Sequence, residues 1–558
     1  MRPDDFSCRL DPGRSPDISD PAISGASILT EAAVPARPVL SFRQNGFWGR
    51  MREVKGLDAN DYDLLVIGGG INGAGIARDA AGRSLRVMLC ERGDLGEFTS
   101  SSSTKLIHGG LRYLEHYEFR LVREALAERG RLLRLAPHII WPLRFVLPHD
   151  EGLRPAWMLR LGLVLYDHLA RLRALPGSAS VALRHSDFGL PLQSRLTRGF
   201  AYSDCWVEDS RLVVLNAMDA RERGAVIRTR TAVESAHRDG TSWAATIRDA
   251  ATGRRETVRA GMIVNAAGPW VSETLGHTLG LASRAAVRLV KGSHIVVGKL
   301  YDGAHAYILQ QPDGRIVFAI PYEGAFTLIG TTDVPHVGEP GPVRISEDET
   351  LYLCDCINRS FRARIGPDDV VWSFSGVRPL FDDAAANASA VTRDYVLDVS
   401  DRDGRLPVLS VFGGKITTYR RLAEHALGKL APYRPGMKPA WTGDAVLPGG
   451  DMPGADFERF LADLMAQRPF LPPGMARRLA RAYGTRTDEL LGTARTLADL
   501  GTAFGEGLTE AEVEYLIERE WARSAPDILW RRSKLGLHLP PEGRARLEAY
   551  MEAGAEAA

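Results

Sequence analysis

Three glycines fix the first chemistry open to this sequence. Gly68, Gly70 and Gly73 spell G-x-G-x-x-G within Gly68-Gly69-Gly70-Ile71-Asn72-Gly73. In that spacing the first glycine permits a tight turn, the second lets a pyrophosphate approach the backbone, and the third allows a helix to pack closely on a strand. Glu91 stands 23 positions after Gly68, where a carboxylate can accept hydrogen bonds from ribose hydroxyls. A hydroxyl-rich run follows, Thr99, Ser100, Ser101, Ser102, Ser103 and Thr104, and then Lys105, His108, Gly109, Gly110 and Arg112. The fingerprint serves FAD and NAD alike, so the chemistry read at this level is dinucleotide binding.

The elements that must hold these residues are legible on either side. Residues 62–67 form a short apolar run that reads as a buried parallel strand ending in the glycines. Small residues over 74–81 suit a helix packed tightly on a sheet, with Gly82 placed to end it. Residues 86–90 give a second strand closed by Glu91, which completes a βαβ unit of about 30 residues. Short β-branched runs at 260–266, 293–297, 315–320, 326–330 and 409–411 predict a mixed sheet that feeds a substrate-facing layer. After Pro432 strand signals nearly vanish. Thr509 and Glu512 have the spacing of a capping box, followed by Val513, Leu516, Ile517 and Trp521 on one helical face. The expected fold is α/β, a Rossmann-like dinucleotide domain with a mixed β-sheet substrate layer over residues 59–440 and an all-α C-terminal domain over 441–558. Residues 1–58, rich in Pro and polar residues, read as a disordered extension without a secretory h-region, and Met51 is a second candidate start.

Composition narrows the class. The 558 residues carry 70 Lys and Arg against 69 Asp and Glu, a net charge of +1. That near-neutral total removes the global electrostatic argument for a nucleic-acid binder. No uncharged apolar run reaches the ~18 residues that a spanning helix needs. Five cysteines, with Cys354 and Cys356 as C-x-C, fit a reducing compartment and argue against a structural zinc site, so no metal is expected.

With its segments taken together, the chain resembles the FAD-dependent glycerol-3-phosphate dehydrogenases, a branch of the D-amino-acid-oxidase-like flavoproteins. The most specific segment is S-T-K-L-I-H-G-G-L-R-Y-L-E from Ser103 to Glu115. Others are Tyr202-Ser203-Asp204-Cys205-Trp206, Asn265-Ala266-Ala267-Gly268-Pro269-Trp270, Lys291-Gly292-Ser293-His294, Gly330-Thr331-Thr332-Asp333, Ser375-Gly376-Val377-Arg378-Pro379 and Gly413-Gly414-Lys415-Ile416-Thr417-Thr418. Their order and spacing match over about residues 60–545.

The resemblance implies FAD as cofactor and oxidation of sn-glycerol 3-phosphate to dihydroxyacetone phosphate. It places basic residues at the substrate end at Arg112, Arg378 and Lys415. The first two are expected to bind phosphate, because a planar guanidinium holds phosphate oxygens bidentately; Lys415 is expected beside the flavin. His108 is the expected base for the C2 hydroxyl, since an imidazole accepts a proton near neutrality. A purely flavin-contacting His108 is the alternative, and His294 is the competing base. Expected cofactor contacts are Gly68, Gly70, Asn72, Gly73, Glu91, Ser100, Ser103, Thr104, Ala267, Gly268, Gly414, Lys415, Ile416 and Thr417. Asp204 and Asp333 read as structural.

The resemblance also implies a peripheral enzyme on the inner face of the cytoplasmic membrane that hands electrons to a quinone, and it suggests a homodimer. A glycerol-3-phosphate oxidase releasing hydrogen peroxide is the alternative. Residues 154–173 pair Trp157, Met158, Leu159, Leu161, Leu163, Val164 and Leu165 with Arg154, Arg160, Arg171 and Arg173. That stretch reads either as an interfacial element or as a buried helix with surface arginines.

Overall fold

The structure is a computed structural model that describes residues 61–111, 114, 117–150, 155–170, 175–282, 286–381 and 394–556. The extension read over 1–58, Arg112, and the flanking Arg154, Arg171 and Arg173 lie outside the described residues.

Strand Asp61–Ile67 begins the chain's first sheet, whose order is Val396–Arg402, Arg405–Phe412, Arg255–Asn265, Asp61–Ile67, Val87–Cys90, Val226–Arg228. Four of the five pairings in this order are parallel, and the Val396–Arg402 edge strand pairs antiparallel. Leu64, Leu65 and Val66 are fully buried, as expected of a strand covered on both faces. The register aligns Ile67 with both Asn265 and Cys90, and Asn265 with Ser410. The strands therefore end along one edge. Just beyond it come Gly68, Glu91, the Ala266-Ala267-Gly268 turn and the Gly413-Gly414-Lys415 turn, which is the crevice where open α/β sheets bind ligands.

Helix Ile71–Gly82 packs on this sheet through its small residues. A Cβ on Gly75 would lie 2.7 Å from the Tyr419 ring, so only glycine admits helix Tyr419–Leu430 this closely. Gly82 does not terminate the helix by a left-handed turn as its position predicts. That conformation falls on Ser84, at φ 69°. Gly82 instead makes room for Trp441, whose ring atoms would sit 2.1–2.3 Å from an added Cβ.

The second sheet runs Val334–Pro335, Val287–Gly298, Phe326–Gly330, Ile316–Tyr322, Ala306–Gln310, Ile140–Pro148, Arg198–Val207, Leu106–Ile107. Strand Val370–Phe381 also pairs antiparallel with Val287–Gly298, setting Arg378 opposite Val290. Of the β-branched runs read as one mixed layer, 293–297, 315–320 and 326–330 fall in this sheet, whereas 260–266 and 409–411 fall in the first. Helix Ala156–Ala170 is amphipathic: Leu159, Leu163 and Tyr166 are buried, while Trp157, Met158, Leu161 and Leu165 are exposed.

Beyond Trp441 the chain is mainly helical, with helices Phe457–Gln467, Pro473–Tyr483, Glu510–Glu520 and Pro541–Glu556 around their own apolar core. A two-residue and a three-residue strand interrupt them. The expected capping box at Thr509 does not form. Glu512 turns inward, where its carboxylate accepts from Arg478 at 2.6 and 2.7 Å and from the Tyr483 hydroxyl at 2.7 Å. Two charge-assisted bonds from one guanidinium outweigh a single bond to the Thr509 backbone N–H for the same carboxylate.

Two histidines make the fold sensitive to acid. Burial, reinforced by Arg211 and Arg481, lowers His138 to about 3; burial, with Lys105 and Arg378, does the same for His294. Unfolded, each would titrate near 6.5. The folded values lie below the unfolded ones, so the unfolded chain binds more protons between them and stability falls as pH drops below about 6.5. The slope approaches ~1.4 kcal/mol per pH unit for each histidine. Urea midpoints at pH 5 and pH 7 should show this loss, and His138→Leu should shrink it; an unchanged difference in that variant contradicts the assignment.

Candidate active site

One cavity of about 860 Å³ collects most of the residues singled out by the sequence. Gly70, Asn72, Ser100, Ser103, Thr104, His108, Gly268, Arg378, Gly414, Lys415, Ile416 and Thr417 all line it. Gly68, Gly73, Glu91 and Ala267 lie behind the wall, among the residues that shape it.

The fingerprint turn tolerates nothing but glycine. Gly68 has φ +106°, and its Cβ would lie 2.5 Å from the Ala266 carbonyl oxygen; a Cβ on Gly73 would lie 1.9 Å from the Gly68 oxygen. Helix Ile71–Gly82 therefore starts hard against the strand, with its first-turn N–H groups toward the cavity. The Ser100 hydroxyl accepts from the Ile71 N–H at 3.0 Å. Glu91 braces the same turn, its two oxygens accepting from Gly69 N at 2.6 Å and Gly93 N at 2.7 Å. Burial raises its carboxyl above the usual range, against the pull of the Gly93 and Gly69 amides. A ribose would share the remaining lone pairs.

Asn72 joins this turn to the far side of the cavity. Its Nδ2 donates to the Gly413 carbonyl at 3.2 Å, while its Oδ1 is buried with no partner among the described residues. Gly413 and Gly414 both have positive φ, 76° and 102°, which turns the chain so that Lys415 lines the cavity. The Thr417 hydroxyl meets the His108 backbone, at 3.4 Å from N and 3.5 Å from O. The residues fit FAD: the glycine turn leaves room for a pyrophosphate, and the buried Asn72 oxygen is an acceptor that a ribityl hydroxyl or a ring N–H would satisfy.

At the other end Arg378 is pre-oriented. Its Nη2 donates to the Thr332 carbonyl at 2.8 Å and pairs with Asp333 at 2.6 Å. The guanidinium lies over Gly292, where a Cβ would be 2.4 Å from Nη2. Asp333 thus orients a candidate phosphate ligand. His294 lines the cavity but is committed elsewhere, with Nε2 at 3.0 Å from the Thr104 hydroxyl and its ring stacked 4.7 Å from Phe374. Ser103 also faces two ways, since its hydroxyl donates to Asp209 at 2.7 Å.

Sequence reasoning left one supporting network unread. Asp204 accepts from the Tyr166 hydroxyl at 2.8 Å and pairs with Arg129, and the Tyr166 oxygen accepts from Gly109 N at 2.8 Å. All three side chains are buried, and they pin the backbone next to His108. The Tyr-Ser-Asp-Cys-Trp segment carried a hint of it, but its partners lie 38 and 75 positions away in the chain.

A family model described as FAD dependent oxidoreductase matches residues 63–420, and one described as the C-terminal domain of alpha-glycerophosphate oxidase matches 441–557. A glycerol-3-phosphate dehydrogenase of Pseudomonas aeruginosa is 54% identical over 88% of this chain and 96% of its own length. A D-erythritol 1-phosphate dehydrogenase of Brucella abortus is 53% identical over 88% and 97%. Among solved structures, the glycerol-3-phosphate dehydrogenase of Bacillus halodurans complexed with FAD superposes with a TM-score of 0.67 at 27% identity, covering 89% of this chain and 94% of that one. On both matches, in this order along one chain, the protein belongs to the FAD-dependent oxidoreductases, in the branch that carries the C-terminal domain of alpha-glycerophosphate oxidase.

Proposed function

We propose that the protein oxidises sn-glycerol 3-phosphate to dihydroxyacetone phosphate with FAD and passes the electrons to a membrane quinone. The observation that carries this reading is the presence of Arg378, Lys415 and His108 in the same cavity as the fingerprint turn, so that cations and a base face the cofactor crevice. FAD, when bound, supplies the acceptor for the hydride that leaves C2. Gly70, Asn72 and Ser100 would hold its pyrophosphate side on the turn shaped by Gly68 and Gly73, and Glu91 would take the ribose; Ser103, Thr104, Gly268 and the 414–417 turn, backed by Ala267, would hold the rest. Arg378, oriented by Asp333, and Arg112 seat the substrate phosphate. Lys415 places positive charge where negative charge develops in the reaction. His108 takes the C2 hydroxyl proton. His294 is the weaker base, because an imidazole held at about 3 has little affinity for a proton at neutral pH.

The quinone reading rests on the mouth of the cavity. Leu106, Phe145, Leu147, Leu159, Ile308 and Phe318 make an apolar wall that a glycerol phosphate does not need. At the rim, Tyr117, Trp157 and Leu161 are 80%, 67% and 61% exposed. Exposed apolar residues lining the same cavity as buried ones suit access of a lipid-borne acceptor from a bilayer surface. Two other readings have specific support. The C-terminal family model bears the name of an oxidase, and the Brucella relative that of a four-carbon polyol phosphate dehydrogenase. Assays with both substrates, following quinone reduction in liposomes and peroxide together, test all three. The expected result is a higher kcat/KM for sn-glycerol 3-phosphate, quinone turnover without matching peroxide, and loss of liposome turnover in Leu161→Asp with a water-soluble acceptor still reduced. Stoichiometric peroxide without quinone turnover overturns the quinone reading.

A further inference from the structure

The loop that carries Ser100, Ser103 and Thr104 along the cavity is bonded at its start by one segment of the C-terminal region and linked to the same segment at its end through Asp209 and Ser210. Residues 527–534 contain the π-turn Asp527–Arg532 followed by Ser533 and Lys534. At the loop's start, Arg532 grips Asp94 with two hydrogen bonds of 2.5 and 2.8 Å, and Arg531 adds one of 2.5 Å. Arg532 and Asp94 are both fully buried. At the loop's end, Lys534 donates to the Ser210 hydroxyl at 3.3 Å. Its neighbour Asp209 accepts from Lys105 at 2.9 and 3.0 Å and from Ser103 at 2.7 Å. Lys105 closes the circuit by donating to the Ser101 carbonyl at 3.1 Å.

A third route is made of rings. Trp530 stacks on Trp372 at 4.5 Å, Trp372 lies 5.1 Å from Phe374, and Phe374 stacks on His294 at 4.7 Å. His294 in turn meets the Thr104 hydroxyl. Thus three routes from residues 530–534 lead to residues 94–105: Arg531 and Arg532 bond Asp94 directly, Lys534 acts through Ser210 and Asp209, and Trp530 acts through Trp372, Phe374 and His294. The segment is also anchored in the helical domain, since Ile528, Leu529 and Leu535 belong to that domain's apolar cluster and Arg532 donates to the Glu520 carbonyl at 2.5 Å, so its outward contacts start from a fixed base. Charges buried this deeply are retained at a desolvation cost and become strongly unfavourable when one partner is lost.

We propose that residues 527–534 are a clamp that fixes the cofactor-facing loop 94–105, with Arg532 and Lys534 as positioning residues for FAD retention. This rests on the FAD reading of the cavity but not on the identity of the substrate. Removing one buried hydrogen bond to a charged group corresponds to about a tenfold change in an equilibrium constant.

The test is Lys534→Met in the full-length holoenzyme, with Lys534→Arg as the conservative counterpart. Two readouts that need no turnover are followed: FAD release by flavin fluorescence, and hydrogen exchange of residues 94–105. The expected result is about tenfold weaker FAD retention and faster exchange confined to 94–105, with helices 457–551 still protected and Lys534→Arg close to wild type. Unchanged FAD retention and exchange in folded Lys534→Met overturns the proposal. So does faster exchange spread over 457–551, which would mark Lys534 as part of that domain's own stability. Should Lys534→Met fail to fold, Ser210→Ala, which removes only the accepting hydroxyl, is read by the same outcomes. A wild-type protein that retains no FAD contradicts the FAD reading of the cavity itself, whereas normal wild-type FAD retention with an unchanged variant contradicts the clamp alone.

Discussion

Arg378→Ala should lower kcat/KM for sn-glycerol 3-phosphate by about two orders of magnitude, chiefly through KM, while the purified protein keeps its FAD. A charge-assisted, bidentate contact to a phosphate contributes roughly 2–3 kcal/mol, and each 1.4 kcal/mol is a factor of ten. Arg378, on strand Val370–Phe381, lines the same cavity as the fingerprint turn. Its removal leaves Asp333 as a carboxylate beside the proposed phosphate seat, so repulsion adds to the lost attraction. Arg378→Lys should recover only part of the loss, because an ammonium keeps the charge without the planar fork. Steady-state kinetics beside flavin absorbance decide the matter; unchanged kinetics would remove Arg378 from the site.

His108→Asn should lower kcat by two to four orders of magnitude with little change in KM or flavin content. General-base catalysis by a positioned imidazole contributes in that range. The backbone around His108 is held by Thr417 on one side and by Gly109, Tyr166 and Asp204 on the other, so the asparagine side chain should leave the loop in place. His294→Asn separates the two candidate bases. Because His294 bonds Thr104 and stacks on Phe374, its loss should disturb the cofactor loop and weaken flavin retention more than it slows the chemical step. If His294→Asn abolished turnover with flavin intact while His108→Asn stayed active, the roles would be reversed.

Much of the site could be read from sequence because its demands are local. Gly68 and Gly73 are dictated by contacts within six residues and one adjacent strand, and the strand ends at Ile67, Cys90 and Asn265 follow from short apolar runs whose register then places Glu91 and Ala267. Resemblance supplied Arg378 and Lys415, which no periodicity marks. What escaped was long-range. The pairing of Lys105 with Asp209 spans 104 positions, and that of Asp94 with Arg532 spans 438. Each joins residues that, taken alone, look like ordinary charged surface positions. Local rules also failed where tertiary partners outbid them. Glu512 left its capping position for Arg478, and Gly82, where the helix does end, makes room for the Trp441 ring while the left-handed turn falls on Ser84.

The most direct test mixes the oxidised protein with sn-glycerol 3-phosphate in the absence of oxygen and of any quinone, and follows the flavin absorbance. A protein that oxidises this substrate through its own FAD must bleach in a single saturable phase, and must release one dihydroxyacetone phosphate per flavin. A flavin that stays oxidised under saturating substrate, in protein with full FAD content, contradicts the account.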